Sequence, residues 1–224
     1  MQRERYTKLD VAKRNCATNN SGVMRREKML AGALRLASFG IKVIPLFPMD
    51  EDYKCTCGTQ CNLSGKHPLT RGGKEFLETA SCDFFHLKEI WSLSPLSGVA
   101  IPTGKINNIV VFDIDPARDG LGSFYSLTDK YEAFPETLTV ISGGGGFHYY
   151  FRYYGSVNSS VDKIASGIDF VAEDMFVVAP PSYHSMGNSY DFVDGKGPED
   201  ISIGNLPEWL KEIADEAGKV KKAW

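Results

Sequence analysis

The stretch VVFDIDP, Val110 to Pro116, limits what this chain can fold into more than any other feature. Side chains alternate along a strand, so Val110, Phe112 and Ile114 share one face, and Val111, Asp113 and Asp115 share the other. The first face must pack on a core. The second carries two carboxylates roughly 6–7 Å apart along the strand. Two anions that close repel unless a cation lies between them. Mg²⁺ or Mn²⁺, held by paired carboxylates and phosphate oxygens, would remove the conflict. The plainer alternative is a strand end running into an Asp-Pro turn, with Asp115 as a solvated cap. Asp-x-Asp alone does not choose between them, because glycosyltransferases and nucleases also carry such pairs.

The surrounding pattern is α+β. From Arg25 to Phe39 the residues Met29, Leu30, Ala33, Leu34 and Ala37 recur at helical spacing, with Gly40 as the expected C-cap. IKVIPLF (41–47) reads as a short strand, and residues 82–91 as a helix. Strands are expected at 98–104, 108–114, 137–142, 147–153, 167–172, 175–181 and 189–193. Leu121, Phe124, Leu127 and Tyr131 mark a helix that Pro135 stops, and a helix with a charged end closes the chain over 207–224. The order suggests a mixed or antiparallel sheet. The expected organisation is a polar segment over 1–24 and one catalytic domain over 25–210, with a long loop, 50–75, inside it.

Net charge is −3, so the chain as a whole is no basic nucleic-acid binder, and any such contact needs a local patch. There is no apolar run of about 18 residues. The charged N-terminus lacks the apolar core of a signal peptide, so a cytoplasmic location is expected.

A second unusual stretch is SGGGGFHYYF (142–151). Gly143, Gly144, Gly145 and Gly146 link two strands, and glycine lets a backbone approach a ligand and present N–H groups to an anion. His148, at the start of the next strand, is placed to donate to a phosphate oxygen. The alternative is a hairpin loop beside a core histidine. Asp169, in GIDFV, is another carboxylate inside an apolar run and a candidate third metal ligand. In VVAPPSYH, two prolines set a corner after which Ser182 and His184 are candidate phosphate contacts.

The cysteines are Cys16, Cys55, Cys57, Cys61 and Cys82. An odd count, with three inside seven residues, does not look like a disulfide framework. Cys55, Cys57, Cys61 and His67 make a sufficient tetrahedral Zn²⁺ set, although Cys-x-Cys is tighter than the usual spacing. All four positions would be protein ligands, so the site would be structural, and a long loop poor in apolar residues has little else to order it. Lys54, Lys66, Arg71 and Lys74 flank it, either solvated or within reach of template phosphates. Cys16 and Cys82 are unassigned.

In this order, VFDID, SGGGGFHYYF, GIDF and VVAPPSYH resemble the motifs of the bifunctional primase–polymerase domain of plasmids, phages and integrated elements, in the archaeo-eukaryotic primase superfamily. LRLASFGIKVIPL and GVAIPTG are similar to its N-terminal signatures. The resemblance covers about residues 28–210. It implies an α+β fold, an RRM-like catalytic sheet with a smaller N-terminal α/β unit. Its metal-binding carboxylates fall on Asp113, Asp115 and Asp169, which would hold two divalent metals, Mg²⁺ or Mn²⁺. His148 falls on the histidine that contacts the incoming triphosphate. Ser142, Gly144, Gly145, Gly146, Ser182 and His184 fall on the nucleotide-binding stretches. The resemblance implies a single-stranded DNA template and nucleoside triphosphates as partners, and often a helicase domain further along. The alternatives are a metal-dependent nuclease, which would not need the glycine run or His148, and a non-catalytic zinc-containing replication or origin-binding module.

Overall fold

The computed structural model describes residues 22–70, 74–155 and 157–219. Cys16, Arg71, most of the polar 1–24 segment and the charged residues after 219 lie outside the described residues.

Helix α1 (Gly22–Ser38) buries Met29, Ala33, Leu36 and Ala37, one stripe at helical spacing. Gly40 ends it at φ +73, with Gly40 N–H donating to Ala37 O and Ile41 N–H to Leu36 O. That is a Schellman arrangement, and the glycine serves because the position is left-handed. Strand β1 (Ile44–Leu46) follows, then the cysteine loop. Helix α2 (Phe84–Leu93) starts where the Asp83 carboxylate accepts the His86 N–H at 2.8 Å.

The described strands form two antiparallel sheets. The smaller has the order β1, β2 (Gly98–Pro102), β8 (Phe176–Ala179). The larger has the order β6 (Ser160–Ala165), β7 (Ile168–Val171), β3 (Ile109–Ile114), β5 (Phe147–Arg152), β4 (Thr139–Ile141), β9 (Asp191–Phe192). Helix α3 (Gly120–Lys130) connects β3 to β4, and α4 (Glu208–Lys219) closes the described chain. The expected strands are all present and somewhat shorter, and β6 was not expected. Both sheets are antiparallel, which settles the mixed-or-antiparallel alternative. No helix of the described residues is long and apolar enough to cross a membrane.

The alternation expected in β3 is the frame of the molecule. Val110, Phe112 and Ile114 belong to one core, with Tyr149, Phe151, Phe170, Leu210 and Ala214. Phe112 meets Phe134 edge-on at 5.6 Å and Phe170 at 4.9 Å. Ile109 and Val111 belong to the other core, with Val140, Tyr150, helices α1 and α2 and the small sheet. The large sheet is therefore covered on both faces. Asp113 lies on the face it shares with Val111, where that second core runs out.

Candidate active site and metal-ligand cluster

Strand register sets the site. Asp113 is paired with His148 on β5 and with Asp169 on β7, and His148 is in turn paired with Val140 on β4. Directly opposed residues have Cβ atoms about 4.5–5.5 Å apart. Asp169, Asp113 and His148 thus form one row across three adjacent strands. His148 is 4% exposed, and its Nε2 lies 3.6 Å from Asp113 Oδ1. Its Nδ1 is buried and has no hydrogen-bond partner among the described residues. Burial pushes the imidazole below its ordinary pKa, with Lys66 adding to the effect and Asp113 opposing it. Burial pushes the Asp113 carboxyl up, and Asp169 and Asp115 push the same way against His148 and Lys66.

Asp115 continues β3 in an extended conformation, its N–H bonded to Gly167 O at 2.8 Å. Its carboxylate caps the 3-10 turn Pro116–Arg118, accepting Ala117 N–H at 2.9 Å. The Asp-Pro cap alternative is therefore correct as local structure, but Asp115 is not merely solvated. Arg118 Nε donates to Asp115 Oδ2 at 2.9 Å. The same guanidinium donates to both oxygens of Asp169, from Nη1 at 3.1 Å and Nη2 at 2.7 Å, and Nη1 lies 2.7 Å from Asp162 Oδ2. Against the upward pull of burial, Arg118 and the Ala117 N–H hold the Asp115 carboxyl below its usual range. Arg118 also holds Asp162 low. Close backbone packing allows this turn. A Cβ on Gly120 would sit 2.5 Å from Gly167 O and 2.6 Å from Asp115 O.

The glycine hairpin and the Pro-Pro turn meet the end of β3. Ser142 N–H donates to Gly146 O at 2.9 Å, Gly145 N–H to Ser142 O at 2.9 Å, and Gly146 N–H to Ser142 Oγ at 3.0 Å. The Gly145 and Gly146 amides are thus engaged within the turn, whereas those of Gly143 and Gly144 have no acceptor among the described residues. A Cβ on Gly146 would run into the Ile114 carbonyl oxygen, and one on Gly143 would overlap the Cβ of His184. Asn188 Nδ2 donates to Gly143 O at 3.1 Å. His184 Nδ1 accepts Met186 N–H at 3.2 Å, and Nε2 is 3.8 Å from where a Gly144 Cβ would stand. The Tyr190 ring lies between the two histidines, 5.7 Å from His148 and 6.3 Å from His184.

Ser182 corrects an expectation. It is 1% exposed, and its Oγ accepts Val99 N–H at 2.7 Å and donates to Val99 O at 2.9 Å. It ties the Pro-Pro turn to β2 and presents nothing to a ligand. Lys74 is paired with Asp174. Reading the sequence missed Arg118 and Asp162. Asp162 lies on the unexpected β6, at φ +52, and its signal is weak because five of that strand's six residues are not buried.

The cysteine loop closes on itself as expected. One ligand atom each from Cys55, Cys57, Cys61 and His67 lies within 4.8 Å of every other. His67 Nδ1 is 3.6 Å from Cys55 Sγ and 3.4 Å from Cys61 Sγ. Tetrahedral zinc, with bonds of about 2.3 Å to sulfur and about 2.05 Å to nitrogen, requires S···N edges of about 3.6 Å. The donors and spacing therefore fit that ion. A hydrogen bond from the Thr59 side chain holds the Cys57 thiol below its usual range, while burial pushes Cys55 up. Cys82 lies outside this group.

The carboxylates fit a different kind of cation. Asp113, Asp115, Asp162 and Asp169 offer only oxygen, the donor type of Mg²⁺ or Mn²⁺. Arg118, bonded to three of them, already occupies a cation's place. Asp113 makes none of these contacts with Arg118; the polar side-chain atom facing it is His148 Nε2, at 3.6 Å. With Arg118 seated, Asp113, Asp115 and Asp169 are not gathered as closely as the thiol group. Among the described residues that group alone brings three or more ligand atoms within 4.8 Å of one another. A metal at Asp169 would have to displace the guanidinium.

No curated protein matches the chain. A family model does match, over residues 33–209, from α1 into α4 and across every site residue above. By that match the chain belongs to the Prim-Pol family, the bifunctional DNA primase/polymerase N-terminal domain.

Proposed function

We propose that this protein is a DNA primase–polymerase that extends a strand from nucleoside triphosphates on a single-stranded DNA template, in replication of a plasmid, phage or mobile element. The observation that carries the reading is the row Asp169–Asp113–His148, lying beside a glycine hairpin with two unengaged amides. Carboxylates and anion-binding amides on one edge suit a reaction between a divalent cation and a polyphosphate. A nuclease has no use for the second half of that arrangement. The catalytic sheet is read as RRM-like because its four central strands run fourth, first, third, second (β7, β3, β5, β4), with α3 as the first crossover.

Asp113, Asp115 and Asp169 would hold the divalent ions. Bound there, Mg²⁺ or Mn²⁺ would supply a lowered pKa at the attacking 3′-hydroxyl and would offset charge on the leaving pyrophosphate. The 3′-oxygen bonds to the α-phosphorus as the bond to the β-phosphate oxygen breaks. The Gly143 and Gly144 amides and His184 Nε2 line the path of the β- and γ-phosphates. His148 fixes Asp113, and the edge of its ring that meets Asp113 is the one left for a phosphate contact. Positioning and charge stabilisation carry most of the rate in such transfers. Zn²⁺ on Cys55, Cys57, Cys61 and His67 would be structural.

The test is incubation with single-stranded DNA, labelled deoxy- or ribonucleotides and Mg²⁺ or Mn²⁺, with and without a primer. Template-dependent products support the reading. Degradation of the DNA without incorporation would replace it with the nuclease.

A further inference from the structure

Lys66 stands between two candidate zinc ligands, Cys61 and His67, yet its charge acts on the other site. After burial, it is the cation that depresses His184. His184 stands on the turn beside the glycine hairpin, its Cβ overlapping the place a Gly143 Cβ would take. Lys66 is exposed and makes no ion pair within 4.0 Å among the described residues. Arg118, by contrast, is committed to Asp115, Asp162 and Asp169.

The backbone around Lys66 is fixed on both sides. Gly65 is buried at φ +74, where a Cβ would lie 2.8 Å from Tyr183 O and 3.2 Å from Met49 Sδ. The loop therefore docks, backbone to backbone, on the turn that carries His184. On the other side, Phe47 N–H donates to His67 O at 2.7 Å, Leu46 bridges to Pro68, and the His67 ring lies 4.7 Å from Phe47. Lys66 N–H donates to Leu63 O at 2.8 Å. Order in the cysteine loop thus determines where the ammonium points.

We propose that Lys66 binds the phosphates of the incoming nucleotide, and that the cysteine–histidine metal site acts on catalysis by holding Lys66 in place. This rests on the primase–polymerase reading of the same site. A triphosphate entering beside four carboxylates meets strong repulsion. A lysine on a flexible stem supplies a point charge to whichever phosphate oxygens come within reach. Its loop docks through Gly65 on the turn that carries His184, and His184 packs on Gly143, which brings Lys66 within reach of the polyphosphate and not of a distant stretch of template.

Binding of a fluorescent nucleoside triphosphate and of single-stranded DNA is titrated separately, and inorganic tripolyphosphate competes for the nucleotide. Lys66→Ala and Lys66→Gln are expected to weaken nucleotide and tripolyphosphate binding ~10–100-fold, the loss of one charged phosphate contact. They should leave DNA affinity and zinc content unchanged. Lys66→Arg should recover most of the affinity, and Lys88→Ala, on the exposed face of α2, should match wild type. His67→Ala should lose zinc and show the same weakening. His67→Cys, which keeps four ligands, should retain both zinc and affinity. Unchanged nucleotide affinity in both Lys66→Ala and Lys66→Gln overturns the proposal, as does a loss confined to DNA. A zinc-free His67→Ala with wild-type nucleotide affinity overturns the coupling. If the wild-type protein incorporates no nucleotide under any metal, the polymerase reading falls, while the tripolyphosphate titration still decides the role of Lys66.

Discussion

Replacing Arg118 by Met tests how the carboxylates are held together. The guanidinium makes its contacts with Asp115, Asp162 and Asp169 at 2.7–3.1 Å. Removing one partner of a fully buried pair costs about 3–5 kcal/mol, whereas exposed pairs contribute about 0–1 kcal/mol. The Asp169 side chain is 15% exposed, but Arg118 itself is 33% exposed, so this pair is discounted to about 2 kcal/mol. Asp115 and Asp162, at 35% and 42%, add about 0.5 kcal/mol each. The expected loss is about 3 kcal/mol, or about 6–12 °C in Tm for a chain this size.

Calorimetry or urea unfolding, in buffer without added divalent ion and with zinc retained, reads that loss. Mn²⁺ should then stabilise Arg118→Met more than wild type, because the metal no longer competes with the guanidinium for Asp169. At a hundred times its Kd an ion binding only the folded state contributes about 2.7 kcal/mol, nearly the whole loss. A variant within 0.5 kcal/mol of wild type, or equal stabilisation of both proteins by Mn²⁺, would refute the view that Arg118 stands where a cation belongs.

Asp113→Asn should abolish nucleotide incorporation and raise stability by about 1 kcal/mol in buffer without divalent ions, since one of several repelling anions is gone; incorporation at the wild-type rate would sink the metal-site assignment. His148→Ala should weaken triphosphate binding more than DNA binding, and the opposite order in paired titrations would reverse its role. The purified protein should carry about one Zn²⁺ per chain, and chelation should raise hydrogen exchange over residues 50–70 while the large sheet stays protected; a chelated loop as protected as the native one would count against the site. Arg35 holds the Glu199 carboxyl below its usual range, so this pair stabilises above the unfolded carboxyl value near 4.5 and fades as pH falls through the lower folded value. Arg35→Met should therefore cost under about 1 kcal/mol at pH 7, the pair being half exposed, and its ion-pair share of that cost should shrink as unfolding is measured at successively lower pH below 4.5.

The parts of the site that sequence revealed are those where chemistry breaks a local pattern. Asp113 and Asp169 interrupt apolar strands, four glycines in a row interrupt a hairpin, and three cysteines fall within seven residues of a loop. Each anomaly is visible within about a dozen positions. The contacts that were missed are long-range. Arg118 meets Asp169 across 51 residues, and Ser182 meets Val99 across 83. A serine after two prolines looks free to touch a phosphate until β2 is known to lie against it. Strand β6 escaped because an edge strand with exposed residues has no apolar alternation to read.

The anions and the cations of this site are also built differently. Asp113, Asp169 and His148 stand on paired strands, so their relative positions are fixed by backbone register and cannot drift without breaking the sheet. Arg118 stands on a single 3-10 turn, and Lys66 on the loop that gathers Cys55, Cys57, Cys61 and His67. The Arg118 side chain can leave its partners without shifting the register of the sheet, and Lys66 has no ion pair to leave among the described residues. An empty site needs positive charge to hold its carboxylates together, and on the proposed reading a loaded site would need those carboxylates for the metal. Rigid anions with displaceable cations meet both demands, and this is why a substitution at Arg118 is expected to change metal affinity while leaving the register of β3 intact.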